Sequence, residues 1–193
     1  MRAATREAAT QARKAQIMEA TIAVLAERGY AATTFEAICE QAGLSSKRLI
    51  SYHFSSKDEL MAAISGQVVA DAAAFMRPAL DAAEGAREQL VAFIRSNVAF
   101  LAAYPGHVRA LQQIVLNGVP GWDSESDAAA DRLAAMFDHG QRSGAFRRFD
   151  SRLMAMTLRA AIDAAASRLL DEPDPEACAD ELVETFDRAT RPD

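Results

Sequence analysis

The sequence is poor in the residues that build catalytic and metal centres. Its 193 residues include two cysteines, three histidines and one tryptophan. Cys39 and Cys178 lie far apart, which suits two buried, reduced thiols rather than a disulfide. His53, His107 and His139 form no His-x-x-x-His pair, and there is no Cys-x-x-Cys, so no metal site is expected. Asp138 and His139 are neighbours on an expected helix, where adjacent side chains diverge. No glycine-rich loop follows a strand, and no Gly-x-Ser-x-Gly is present, which removes the usual phosphate cradle and the hydrolase elbow. No early apolar run resembles a signal peptide, and no stretch approaches the roughly 18 uncharged residues of a membrane span. These absences argue against an enzyme, a cofactor and a membrane partner, and they predict a cytoplasmic protein.

What is present is ordinary in bulk and uneven in distribution. With 50% hydrophobic and 25% charged residues, the chain can build one large domain or two small ones. The net charge is −6, but residues 1–57 carry eight Lys/Arg against five Glu, a net of +3, which leaves −9 for residues 58–193. Such asymmetry is the footprint of a small DNA-reading head on an acidic body.

The periodicity is helical almost throughout. After an alanine-rich, basic stretch over 1–15 that reads as a flexible arm, Ile17, Thr21, Val24 and Leu25 fall on one stripe of a helix over Gln16–Arg28, stopped by Gly29. Thr33-x-x-Glu36 reads as a capping box opening a short helix to Gln41, ended by Gly43. Ser45 or Ser46 can cap a third helix over Lys47–His53. At 100° per residue, Lys47, Arg48, Ser51 and Tyr52 share one face of it, while Leu49, Ile50 and His53 share the other. Two short helices joined by a glycine turn, the second polar and cationic, make a helix-turn-helix over 16–57. Ser56 and Glu59 form another capping box, with Lys57 in the first turn of the next helix, where free amides and an ammonium group suit a phosphate. The same residues also suit a solvated helix start and its dipole.

With "AERGYAATTFEAICEQAGLS" followed by "YHFSSKDEL" and an all-helical remainder, the chain resembles the TetR family of transcriptional regulators. The stretch from Gly43 to His53 is one residue longer than the usual family pattern. The resemblance implies phosphate contacts from Thr33 or Thr34, Tyr52, His53 and Lys57, and base-edge contacts from Ser45, Ser46, Lys47, Arg48 and Ser51. By chemistry alone, Arg48 suits a bidentate guanine contact, Lys47 suits a base or a phosphate, and His53 suits packing on the buried face.

The remainder, 58–193, reads as six helices forming an effector-binding and dimerisation domain, so that the fold is all-α. Expected spans are Asp58–Arg77 with Pro78 as its stop, Arg87–Tyr104, His107–Asn117, a helix capped by Ser124 and running to Ser143, Ser151–Leu170 capped by Asp150, and Pro175–Ala189. The alanine-rich "RAAIDAAASRLL" and the strip Leu182, Val183 and Phe186 suit close helix packing. The resemblance implies a homodimer through the last two long helices, which would match a palindromic operator on double-stranded DNA. Tyr104, Gln113 and Trp122 are the candidates for binding a small organic effector, whose binding would release a repressor from DNA. The rival readings are an interaction module whose basic head meets an acidic protein, and a regulator controlled by a protein partner.

Overall fold

The structure is a computed structural model that describes residues 2–119, 122–172 and 174–192, with side chains described from residue 7 onward except at 122–125. The described residues form nine helices and no strand: α1 Arg2–Ala32, α2 Phe35–Gln41, α3 Arg48–His53, α4 Lys57–Asp81, α5 Ala86–Ala103, α6 Pro105–Leu116, α7 Trp122–Arg142, α8 Ser151–Asp171 and α9 Pro175–Thr190. The chain divides into two compact units, Met1–Val68 with Gly106–Trp122, and Val69–Pro105 with Asp123–Asp193. The expected boundary at 57/58 is thus displaced: the first unit takes in the start of α4 and the whole α6 segment from Gly106. Gln113 of α6 accepts a hydrogen bond from the Tyr30 amide at 3.1 Å, a tie that no local pattern announces.

In the first unit, α1 buries Ile17, Thr21, Val24 and Leu25, the stripe expected of it. Its regular part ends at Gly29, whose φ of 78° lies in the left-handed region that a side chain disfavours. At its other end the helix extends back to Arg2, so the stretch read as a flexible arm is helical in backbone; alanine, which dominates it, is the strongest helix former. The cap of α2 also moves by one residue. Thr34 is the N-cap, its hydroxyl accepting from the Ala37 amide at 3.1 Å, whereas Thr33 is fully buried and donates to the Gly29 carbonyl at 2.8 Å. At its C-terminus, Gly43 at φ 63° lets its amide reach Glu40 O and the Leu44 amide reach Cys39 O, the paired bonds of a Schellman turn.

From that turn the chain enters α3, where Ser46 Oγ accepts from the Arg48 amide at 3.2 Å. The helix opens with tight bonds from Leu49 N to Ser46 O and Ile50 N to Lys47 O, and helical bonds run from Ser51 N to Lys47 O and from Phe54 N to Ile50 O. Ile50 and Phe54 are buried, and the opposite face is open. For α4, Ser56 Oγ accepts from the Glu59 amide at 3.1 Å, while the Glu59 carboxylate reaches back to Ser55 N at 2.7 Å. Pro78 does not stop this helix; it lies inside the last turn, and the Ala82 amide still bonds to its carbonyl. By length and composition α4 could cross a membrane, the one described helix that could, its best window having mean hydropathy 1.2. The core helix of a globular protein meets the same measure, and α4 buries Leu60, Met61, Ile64 and Val68 along one side.

The second unit has its own core, built by Leu90 and Ile94 of α5, Leu133 and Phe137 of α7, Leu158 and Ile162 of α8, and Phe186 of α9. Asp150 and Asp174 cap α8 and α9 as expected, accepting from Leu153 N at 2.9 Å and Ala177 N at 3.0 Å. α7 begins at Trp122, ahead of the expected cap Ser124, whose side chain lies outside the described residues. Gly140 is buried against Phe146, and a methyl group at this position would overlap the phenyl ring. Cys39 and Cys178, one in each unit, are free and half-buried.

Candidate nucleic-acid interface

The open face of α3 forms one wall of a groove of about 540 Å³, lined by Glu36, Lys47, Arg48, Ser51, Ser56 and Lys57 together with Phe35. Three helices contribute: the start of α2, the start and face of α3, and the first turn of α4. The glycine turn brings Glu36 and Lys47 together into an ion pair across the two recognition elements. The bond from Lys47 holds the Glu36 carboxyl below its ordinary range, and the same bond raises the Lys47 ammonium. Arg48 is exposed and its guanidinium has no partner among the described residues. Tyr52 is 74% exposed and stands edge-on to the His53 ring, with centroids 5.0 Å apart.

Lys57 is held more firmly. Its Nζ donates to the Tyr30 carbonyl at 2.7 Å and lies 3.9 Å from the centre of the Tyr30 ring. Burial lowers its pKa, with Asp58 opposing. Burial, and then the charges of Lys14 and Arg13, hold the His53 imidazole below its ordinary value, so at neutral pH it adds no charge to this face.

Of the residues expected to touch DNA, Thr34, Ser45, Ser46, Lys47, Arg48, Ser51 and Tyr52 are exposed, and Lys57 and His53 are half-buried. Thr33 is the correction: with its side chain buried and its hydroxyl bonded to Gly29 O, it cannot reach a phosphate, and Thr34 stands at the surface in its place. Among the described residues, neither Tyr104 nor Gln113 lines the groove on α3 or the one between Ala79 and Asp187. Gln113 is engaged with the Tyr30 amide in the first unit. Tyr104, in the second, is partly exposed and packs against Phe75 and Phe100, with ring centres 5.9 and 4.9 Å away. The Trp122 side chain lies outside the described residues. The amides of Asn97 and Asn117 bond to their own helices, at Phe93 O and Gln113 O. Two contributors were not visible in the sequence as site residues. Glu36 read only as a capping acid, and Tyr30 acts through its backbone carbonyl, for which no side-chain signal exists.

A family model described as bacterial regulatory proteins of the tetR family matches residues 17–64, the span from α1 to the first turns of α4. Among solved structures, a TetR-like transcriptional regulator from Rhodococcus sp. RHA1 is similar over 92% of this chain and 94% of its own, at 26% identity and a TM-score of 0.75. A bacterial regulatory protein of the tetR family, also from Rhodococcus RHA1, has 23% identity and a TM-score of 0.76 over 94% and 98% of the two chains. A protein from Saccharomonospora viridis, assigned as a transcriptional regulator and solved in complex with choline, has 21% identity and a TM-score of 0.79 over 93% and 98%. No curated protein matches the chain in sequence. With a helix-turn-helix whose cationic face is open, the family match marks residues 17–64 as a DNA-binding head of the tetR type, and the likeness over nearly the whole length shows the fold of TetR-like transcriptional regulators.

Proposed function

We propose that the chain is a cytoplasmic repressor that binds a palindromic operator as a homodimer and leaves it when a small organic effector binds. The observation that carries the reading is the open cationic groove on α3, with Arg48 on its wall exposed and its guanidinium unpartnered among the described residues. Arg48 contacts a guanine edge; Lys47, Ser45, Ser46 and Ser51 contact neighbouring bases; Thr34, Tyr52 and Lys57 contact phosphates. His53, half-buried and neutral, packs beneath them.

One such head offers few base contacts, and a twofold pair doubles them. The dimer reading is supported by the outward face of α8, where Leu153 and Met156 are 62% and 53% exposed and are followed by exposed Ala160 and Ala164 at helical spacing. Small residues at such positions let two helices approach closely. The effector reading is supported by the partly exposed aromatic group of Phe75 and Tyr104 over Phe100. α4 runs without a break from Lys57 to Phe75 and beyond, so a ligand that tilts it changes the separation of the two recognition helices, held near 34–36 Å by one DNA turn.

The test is selection of a bound duplex from a randomised pool by the purified protein, followed by sedimentation of the complex. A palindromic sequence bound by two protomers supports the reading; a pool that yields no enriched sequence ends it. A small-molecule screen for release, with choline included, then addresses the effector.

A further inference from the structure

The groove on the recognition face contains one feature at odds with a surface built for a polyanion: the Glu36 carboxylate. It sits in the first turn of α2 and pairs with Lys47, the N-cap of α3. Both side chains remain largely exposed, 63% for Lys47 and 65% for Glu36. An exposed pair of this kind contributes little to stability, so folding does not require it. The N-cap bond to the Ala37 amide comes from Thr34 and not from Glu36, whose carboxylate accepts from Lys47 and from its own amide. Nearby acids on the same unit have other partners: Glu40 faces Arg28, and Glu59 bonds to Ser55. Glu36 is the one carboxylate among the groove's lining residues.

Any duplex entering the groove therefore meets a negative charge, and any phosphate that attracts Lys47 must take it from Glu36. Once Lys47 turns away, the carboxylate is left bare against DNA. At a base edge it has one good partner, the amino group of cytosine in the major groove, which donates to a carboxylate. At a phosphate it has none.

We propose that Glu36 is a specificity-determining residue of the recognition face, one that weakens binding to every duplex but least to a site presenting a cytosine amino group beside the Lys47 contact. This rests on the reading that the α3 groove is the DNA-binding face. The residue works by exclusion: the penalty against wrong sequences is built into the surface, in addition to the attraction that Arg48 offers the right one.

The test uses the full-length protein, a random-sequence duplex and the duplex that wild type selects from a randomised pool, each titrated over a salt series. Glu36→Gln keeps the shape and removes the charge; Glu36→Asp keeps the charge. E36Q should bind the random duplex more tightly, on the order of tenfold, with a salt slope steeper by about 0.9 because Lys47 is free for one more phosphate. Its affinity for the selected duplex should rise far less or fall, and selection repeated with E36Q should lose preference at one G·C position of each half-site. E36D should keep a ratio closer to wild type. If E36Q gains equally on both duplexes, or changes neither, the proposal is overturned. If Arg48→Ala and Lys57→Ala leave both affinities unchanged, it is the assignment of the face that fails; if they weaken binding while the E36Q ratio stays fixed, only the role of Glu36 fails.

Discussion

Arginine and lysine are used in two ways in the two units. In the second, cations join helices: Arg87 of α5 and Arg191 after α9 share the Asp187 carboxylate, Arg95 reaches Asp180, and Arg152 of α8 reaches Asp127 and Asp131 of α7. In the first, Arg28 faces Glu40 at a loose 3.7 Å, Lys47 has its exposed pair, Lys57 is held by a carbonyl, and the Arg48 guanidinium has no partner among the described residues. The side chains are alike, and both units pair some of them with carboxylates; what differs is that the second unit's pairs join separate long helices, whereas the first unit's lie exposed on the helix-turn-helix. The pairs between α5 and α9 and between α7 and α8 tie helices together, while on the α3 face the Arg48 guanidinium, without a partner among the described residues, is open to a polyanion.

The largest effect is expected at the outward face of α8. Ala164→Glu places a charge among the small exposed residues, and we expect monomers by sedimentation, with affinity for the palindromic duplex falling on the order of a hundredfold or more as two-headed binding is lost. Wild-type protein that is itself monomeric at micromolar concentration would remove the basis of this expectation. Next in size is the recognition face. Arg48→Ala should cost about 1–3 kcal/mol of discrimination and relax preference at one position of each half-site, while Lys57→Ala should weaken binding to all sequences and flatten the salt dependence. Thermal stability should hardly move in the R48A variant, because Arg48 makes no contact that the fold uses.

Within the second unit, Gly140→Ala forces the Phe146 ring from its seat. Helix propensity returns about 1 kcal/mol, so a net loss of about 1–2 kcal/mol in denaturant unfolding is expected, with no change in sequence preference. The smallest effect concerns acid. The hydrogen bond from Arg191, aided by the Arg87 charge and opposed by partial burial, holds the Asp187 carboxyl below its ordinary range. A carboxylate depressed on folding contributes stability in full above its unfolded pKa of about 3.9 and loses that contribution as the pH falls through the folded value. Asp187→Asn should therefore lower stability near neutrality by less than about 1 kcal/mol, as partly exposed pairs do, and flatten the acid limb of the stability curve. A D187N curve parallel to wild type would show that the shift does not reach the folding equilibrium.

Much of this architecture could be read from the chain because its signals are local. Gly29 and Gly43 stop helices, Asp150 and Asp174 cap them, and Ile50 opposite Arg48 divides α3 into two faces; each depends on residues within one or two turns. The failures share a cause of the opposite kind. Thr33 and Thr34 are equivalent as letters, and burial together with the bond to Gly29 O decides between them. Gln113 joins Tyr30 across 83 positions, which moves α6 into the first unit, and Lys47 finds Glu36 only after the turn has formed. A proline such as Pro78 is tolerated at a helix end that a stop signal would have cut. The α3 face was visible because its cations are adjacent in sequence, whereas a cavity for an effector is made of side chains from separate helices and has no such signature.

The distribution of the two thiols has a practical consequence. Each unit holds a single cysteine, half-buried and made less acidic by that burial, so neither reacts at the rate of an open thiol. The rate at which each is alkylated therefore clocks how often its own unit opens. One reagent, read out by peptide mass, follows the head through Cys39 and the body through Cys178 in the same molecule. If DNA binds the head, its addition should slow the first clock and leave the second unchanged.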